Sequence, residues 1–139
     1  MRLWHRDLIP YLDRQRLLSQ HRECCALRGK GWGKKHKTVD YVFTYPYSQL
    51  FYYHQEVMNE MKKRGYNVDS LWSEITYRGK ILGYDTTNFT SAQENKMYSE
   101  HLKLSPYFYE CIDLLIEKTA VDPNEVDYKQ IKQLFLQGK

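Results

Sequence analysis

Leu50, His54, Val57, Met58 and Met61 recur at i, i+4, i+7, i+8 and i+11, and that spacing constrains the fold more than any total can. It lines one face of an α-helix and no face of a strand. Ser48 can cap the run and Gly65 closes it, so a helix is expected between them. The same period appears upstream. From Asp13, Leu17, Leu18, His21, Cys24 and Cys25 share one side. Arg16, Ser19, Gln20 and Glu23 fall on the other, and Gly29 is the stop.

The rest of the chain is helical with long interruptions. The opening MRLWHRDLIPYLDRQ is mixed, and Pro10 breaks it. Residues 29–47 read as loop, with Gly29, Gly31, Gly33 and Pro46 as breakers. Thr38–Phe43 alternates like a strand but has no partner, so irregular structure is expected there. Residues 66–90, with Tyr77-Arg78-Gly79-Lys80 and Gly83, also read as irregular. Thr90–Leu104 reads as a helix with a capping box from Ser91 to Glu94. Ser105-Pro106 restarts a helix whose stripe is Phe108, Ile112, Leu115 and Ile116. A last helix is expected to open at Asp122–Glu125 and to bury Ile131, Leu134 and Phe135. The expectation is an all-α, compact single domain spanning 1–139 with long irregular connections. Loops that long are uncommon in a small domain unless they do something.

Composition excludes more than it assigns. Of 139 residues, 42% are apolar and 27% charged, ordinary for a globular domain with a real core. Thirteen tyrosines are unusual; they suit wet grooves, though a helical core with hydroxyls at its edge accounts for most of them. No apolar run reaches the roughly 18 residues of a membrane span, so no membrane partner is expected, and a monomer is. Cys24, Cys25 and Cys111 form no CxxC pair. Neither a zinc site nor any other metal or cofactor is therefore expected. The odd cysteine count, without a signal peptide, points to a reducing cytoplasm. Net charge is only +4, yet Arg28, Lys30, Lys34, Lys35 and Lys37 fall between Cys24 and Val39 with no acid among them. Such clustering is what neutralising a phosphate backbone requires.

Two features carry candidate chemistry. In RGKGWGKKHK, Arg28–Lys37, glycines let main-chain amides approach phosphates and Trp32 can stack on a base. A solvated surface loop fits the composition equally well, and the P-loop pattern is absent. Glu23 precedes this run. By composition alone it is a surface ion pair, with Arg22 beside it and Arg16 about two turns back. Of the histidines at 5, 21, 36, 54 and 101, none forms a compact metal pattern, and His21 and His54 read as satisfied core histidines.

HRECCALRG, the basic loop, LFYYHQEVMNEMKKRGYNV, YRGK and SAQENKMYSEHLKLSPYFYE, in that order, resemble the pyrimidine-dimer DNA glycosylases, the phage-type endonuclease V family. The likeness covers about residues 1–110; residues 111–139 read as a helical extension. It implies a helical enzyme with its amino-terminal segment threaded between helices. The nucleophile would be the α-amino group, here of Met1. Glu23 would assist β-elimination after the Schiff base forms, and Arg22 would contact phosphate. The implied partner is double-stranded DNA with damaged pyrimidines or abasic sites, in the cytoplasm or on the nucleoid.

The chemistry is sound from below. An α-amine titrates near 7.7–8.0, so part of it is neutral at pH 7. Arg2 would depress that value further. The expected catalytic group is thus Met1, Arg2 and Glu23. The expected DNA contacts are Arg16, Arg22, Arg28, Lys30, Trp32, Lys34, Lys35 and Lys37. Three positions depart from the family pattern. Arg2 replaces a small residue and so retains Met1. Ala26 stands where the family has arginine, with Arg28 as the available substitute. Arg16 replaces a histidine. These departures keep open a non-catalytic nucleic-acid-binding protein on the same fold. An interaction module built on the tyrosines is a third possibility.

Overall fold

The computed structural model describes residues 2–29, 47–80, 82–84, 98, 101, 105–121 and 126–138. They form four α-helices: α1 (Arg14–Arg28), α2 (Tyr47–Lys63), α3 (Pro106–Val121) and α4 (Tyr128–Gln137). Short 3-10 turns span Arg6–Tyr11 and Ser70–Ser73. Among the described residues the only β feature is an isolated bridge between Tyr77 and Tyr84. The fold is all-α. No described helix is long and apolar enough to cross a membrane.

Asp13 caps α1 by accepting from the Arg16 amide. Gly29 ends it, and its amide reaches the Cys25 carbonyl. A Cβ there would lie 2.8 Å from the Arg78 carbonyl oxygen, which explains the glycine. All five stripe residues of α2 are buried. The described part of that helix begins at Tyr47, two residues before the start a Ser48 cap would give, which places Ser48 inside the helix rather than at its cap. Gly65, at φ 83°, terminates it; the Gly65 and Tyr66 amides return to the Lys62 and Met61 carbonyls.

Pro106 opens α3 as expected, and Phe108, Ile112 and Leu115 are buried. The final helix differs. Its described part begins at Tyr128 behind an Asp127 cap that accepts from the Gln130 amide. Ile131 is buried, but Leu134 is 55% exposed, against expectation. Phe135 packs on Phe108, with ring centroids 4.7 Å apart. The Tyr128 hydroxyl accepts from the Asp13 amide at 2.9 Å and donates to Asp13 Oδ1 at 2.8 Å, tying α4 to the cap of α1. The expected strand-like stretch 38–43 and the capping box Ser91–Glu94 lie outside the described residues.

Helix α1 packs along α2, and the amino-terminal segment crosses both. Pro10 does not interrupt that segment. It sits inside the Arg6–Tyr11 turn, which buries Leu8 and Ile9.

Candidate active site

Each of three consecutive main-chain carbonyls, those of Arg2, Leu3 and Trp4, meets a side chain from a different helix. From α1, Gln20 Nε2 donates to the Arg2 carbonyl at 2.9 Å. From α3, the Tyr107 hydroxyl donates to the Leu3 carbonyl. From α2, the Tyr53 hydroxyl lies 2.6 Å from the Trp4 carbonyl and 2.8 Å from Gln20 Oε1, and its single proton serves both. The Trp4 amide donates back to Gln20 Oε1 at 2.7 Å. Sequence reasoning put Gln20 on the polar outer face. It is instead fully buried, because the crossing main chain answers its amide as water would.

The next residues are held as firmly. The Arg6 amide donates to His101 Nδ1 at 3.0 Å and the Asp7 amide to His5 Nδ1 at 3.1 Å. The two imidazoles stack at 5.3 Å. Burial, and then the charges of His5 and Arg6, push His101 down to about 3, so it stays neutral.

Glu23 faces this pinned segment. Its carboxyl is half-buried, and burial raises its pKa. The strongest opposing influence is the positive charge of the chain's amino terminus, followed by a hydrogen bond from the Arg2 amide and the charges of Arg22 and Lys118. A carboxylate, the Arg2 main chain and a cationic rim thus meet at one place on α1. Met1 itself lies outside the described residues. The Arg2 guanidinium is 3.7 Å from Glu110 and stacks over Tyr107 at 5.7 Å. Arg22 is exposed, bonded to Ser19 Oγ at 3.0 Å. Arg16 pairs with Asp13 at 3.2 Å.

Arg28 is placed differently. Its side chain is fully buried and its five N–H donors are all used. Nε donates to the Tyr47 hydroxyl, and one terminal nitrogen to His54 Nδ1 and the Trp72 carbonyl. The other donates to the Glu74 and Tyr77 carbonyls. No donor is left for phosphate, so Arg28 does not fit its expected role as a DNA contact or as the substitute for an arginine at position 26. Ala26 is exposed. Lys30, Trp32, Lys34, Lys35 and Lys37 lie outside the described residues.

Beside Arg28, His54 Nε2 and His21 Nδ1 are 2.9 Å apart. A guanidinium can only donate, so His54 Nδ1 accepts and its proton resides on Nε2, which donates to His21. Cys25 Sγ lies 3.9 Å from His54 Nε2 and 4.0 Å from His21 Nδ1. Burial holds both histidines below their ordinary value, His54 far below, and pushes the Cys25 thiol up to about 12. His54 is a satisfied core histidine as expected. The convergence of Cys25 with both rings was missed; the available signal was His21 and Cys25 one turn apart, facing the α2 stripe that carries His54.

A model of the family described as pyrimidine dimer DNA glycosylase matches residues 1–74, more than half of the 139. No curated protein and no solved structure matches the chain.

Proposed function

The chain belongs to the pyrimidine dimer DNA glycosylase family, and on that premise we propose that it excises damaged pyrimidines, or opens abasic sites, and then cuts the strand as an AP lyase. The observation that carries this reading is the meeting of Glu23 with a main chain pinned at three successive carbonyls.

In this reading the Met1 α-amine, partly neutral at pH 7, attacks the deoxyribose C1′. The base leaves and an imine forms. Glu23 then takes the C2′ proton, the C3′–O bond breaks and the 3′ phosphate departs. A carboxyl raised toward the working pH is a better base than an ordinary glutamate. Arg16, Arg22 and the basic residues at 30–37 hold the backbone, with Trp32 stacking on a base. Pinning matters because small errors in the attacking atom's position cost large factors in rate.

The test is borohydride trapping and strand cleavage on duplexes carrying an abasic site or a pyrimidine dimer. The wild type should trap and cleave. Glu23→Gln should lower cleavage by about 100-fold or more, the scale of a lost acid–base group. Intact-mass measurement should find Met1 retained and unblocked. Absence of any adduct, or cleavage indifferent to Glu23→Gln, defeats the reading.

One observation favours a second reading, a DNA-binding protein without catalysis: the exposed Ala26 and the spent donors of Arg28 leave that position without a cation for the substrate. It predicts salt-sensitive binding to duplex DNA and no cleavage.

A further inference from the structure

We propose that His21, Cys25 and His54 form a binding site for one zinc-class divalent cation, independent of the DNA chemistry on the other side of α1.

The donor atoms His21 Nδ1, Cys25 Sγ and His54 Nε2 lie within 4.8 Å of one another. Their edges are 2.9, 3.9 and 4.0 Å. Tetrahedral zinc, with Zn–N near 2.0–2.1 Å and Zn–S near 2.3 Å, needs edges of roughly 3.3–3.6 Å. Each observed edge is thus within about 0.6 Å of what the ion requires, a change that small side-chain rotations supply. His21 and Cys25 stand one turn apart on α1, and His54 faces them from α2, so the ion would join the two helices of the main core seam. His21 and Cys25 are half-buried, so the fourth corner would fall to water from the surface side.

The donor set chooses the metal. Two imidazoles and one thiolate suit zinc or cobalt and not the hard cations magnesium or calcium. The Asp69 carboxylate is near enough to act on Cys25 and adds negative charge beside the site. Arg28 opposes a cation, and its hydrogen bond to Nδ1 of His54 has to be given up when Nε2 becomes the ligand.

The protons balance as follows. Cys25 releases its proton to solvent and binds as thiolate. His54 moves its proton from Nε2 to Nδ1, and Arg28 gives up one of its five hydrogen bonds. His21 offers the Nδ1 lone pair it already presents. One proton is therefore released per cation bound. A thiol with so high a pKa is inert as a free nucleophile, whereas a bound dication deprotonates it outright.

The experiment titrates the full chain, stripped of metal, with Co²⁺ and then Zn²⁺. The expected result is one cobalt per chain with a thiolate-to-cobalt charge-transfer band, displacement by zinc, release of one proton and a Tm raised by several degrees. Mg²⁺ should do none of these. Cys25→Ser, a one-atom change at a half-buried position, should abolish the band while the far-ultraviolet circular dichroism stays native. His21→Gln should weaken cobalt binding at least tenfold and serves if the serine variant does not fold. A chain that shows no thiolate band at stoichiometric cobalt overturns the proposal. So does a band that persists in folded Cys25→Ser, which would assign the metal to another thiol.

Discussion

Gln20 and Arg28 stand on the same helix, about 12 Å apart along its axis, and both are fully buried polar side chains held by hydrogen bonds. They do opposite work. Gln20 is neutral and spends its amide on the amino-terminal main chain, ahead of Glu23. Arg28 carries a full charge, and its hydrogen-bond acceptors are all neutral: a hydroxyl, an imidazole and three carbonyls. Phe51 and Trp72 cover its faces at 5.1 and 4.8 Å. It fastens the 72–77 connection onto the α1–α2 seam, and the buried Arg78, stacked at 3.9 Å over Tyr47, reinforces the joint by donating to the Arg28 carbonyl. The lesson is that α1 holds its two neighbours by different means: a neutral clamp at mid-helix that positions a site, and a charged bolt at its last residue that closes the core.

The harshest way to break the comparison is Arg28→Met. It removes a charge but orphans five buried acceptors, at about 1–3 kcal/mol for each that water cannot reach. The expected loss is about 3–5 kcal/mol, read as a lower urea midpoint. A variant within 1 kcal/mol of wild type would mean that the guanidinium costs as much to bury as it returns.

Acid tests both joints together. The folded-state pKa values of His54 and His101 are depressed, that of His101 to about 3, and His21 more mildly so. The unfolded chain takes up these protons below pH 6.5 while the folded chain resists. Stability is therefore full above the unfolded value and is lost as pH falls below it. The slope is up to about 1.4 kcal/mol per pH unit for each histidine, about 3 kcal/mol per unit for the two most buried. The raised Glu23 carboxyl works in the opposite sense, favouring the folded state toward acid, and softens the slope below its own pKa. Chemical denaturation from pH 7 to 5 reads the sum, and a flat profile would contradict the buried neutral rings.

Gln20→Leu should cost less, about 2 kcal/mol, since the lost partners are neutral and lie near the chain end. Its signature is functional. If the clamp positions the amine, strand cleavage should fall at least tenfold while DNA binding holds, and Arg28→Met refolded at low temperature should not reproduce that split.

Much of this was legible. Asp13 and Gly29 bounded α1, Pro106 opened α3, and the α2 stripe was buried at every position. The failures share one cause. Periodicity sorts residues by polarity and sent Gln20 outward, while charge clustering sent Arg28 to phosphate. Neither assignment could anticipate that a crossing main chain or three loop carbonyls would replace water. The late start of α4 has a similar origin: Asp122 and Asp127 are both able caps, and what distinguishes the second is Tyr128, whose hydroxyl reaches an aspartate 115 residues earlier in the chain.

Tyr53→Phe is the smallest and sharpest cut. It deletes one oxygen, leaves the ring in the core and unpairs only the Trp4 carbonyl, because Gln20 Oε1 keeps the Trp4 amide. A loss of about 1 kcal/mol is expected. The cut separates two accounts of the clamp. If Arg2, Leu3 and Trp4 are held independently, the trapping yield should stay near wild type, since Gln20 and Tyr107 still hold the residues closest to the amine. If the three contacts act as a unit, Tyr53→Phe should reduce trapping almost as much as Gln20→Leu, and the double variant should cost less than the sum of the two.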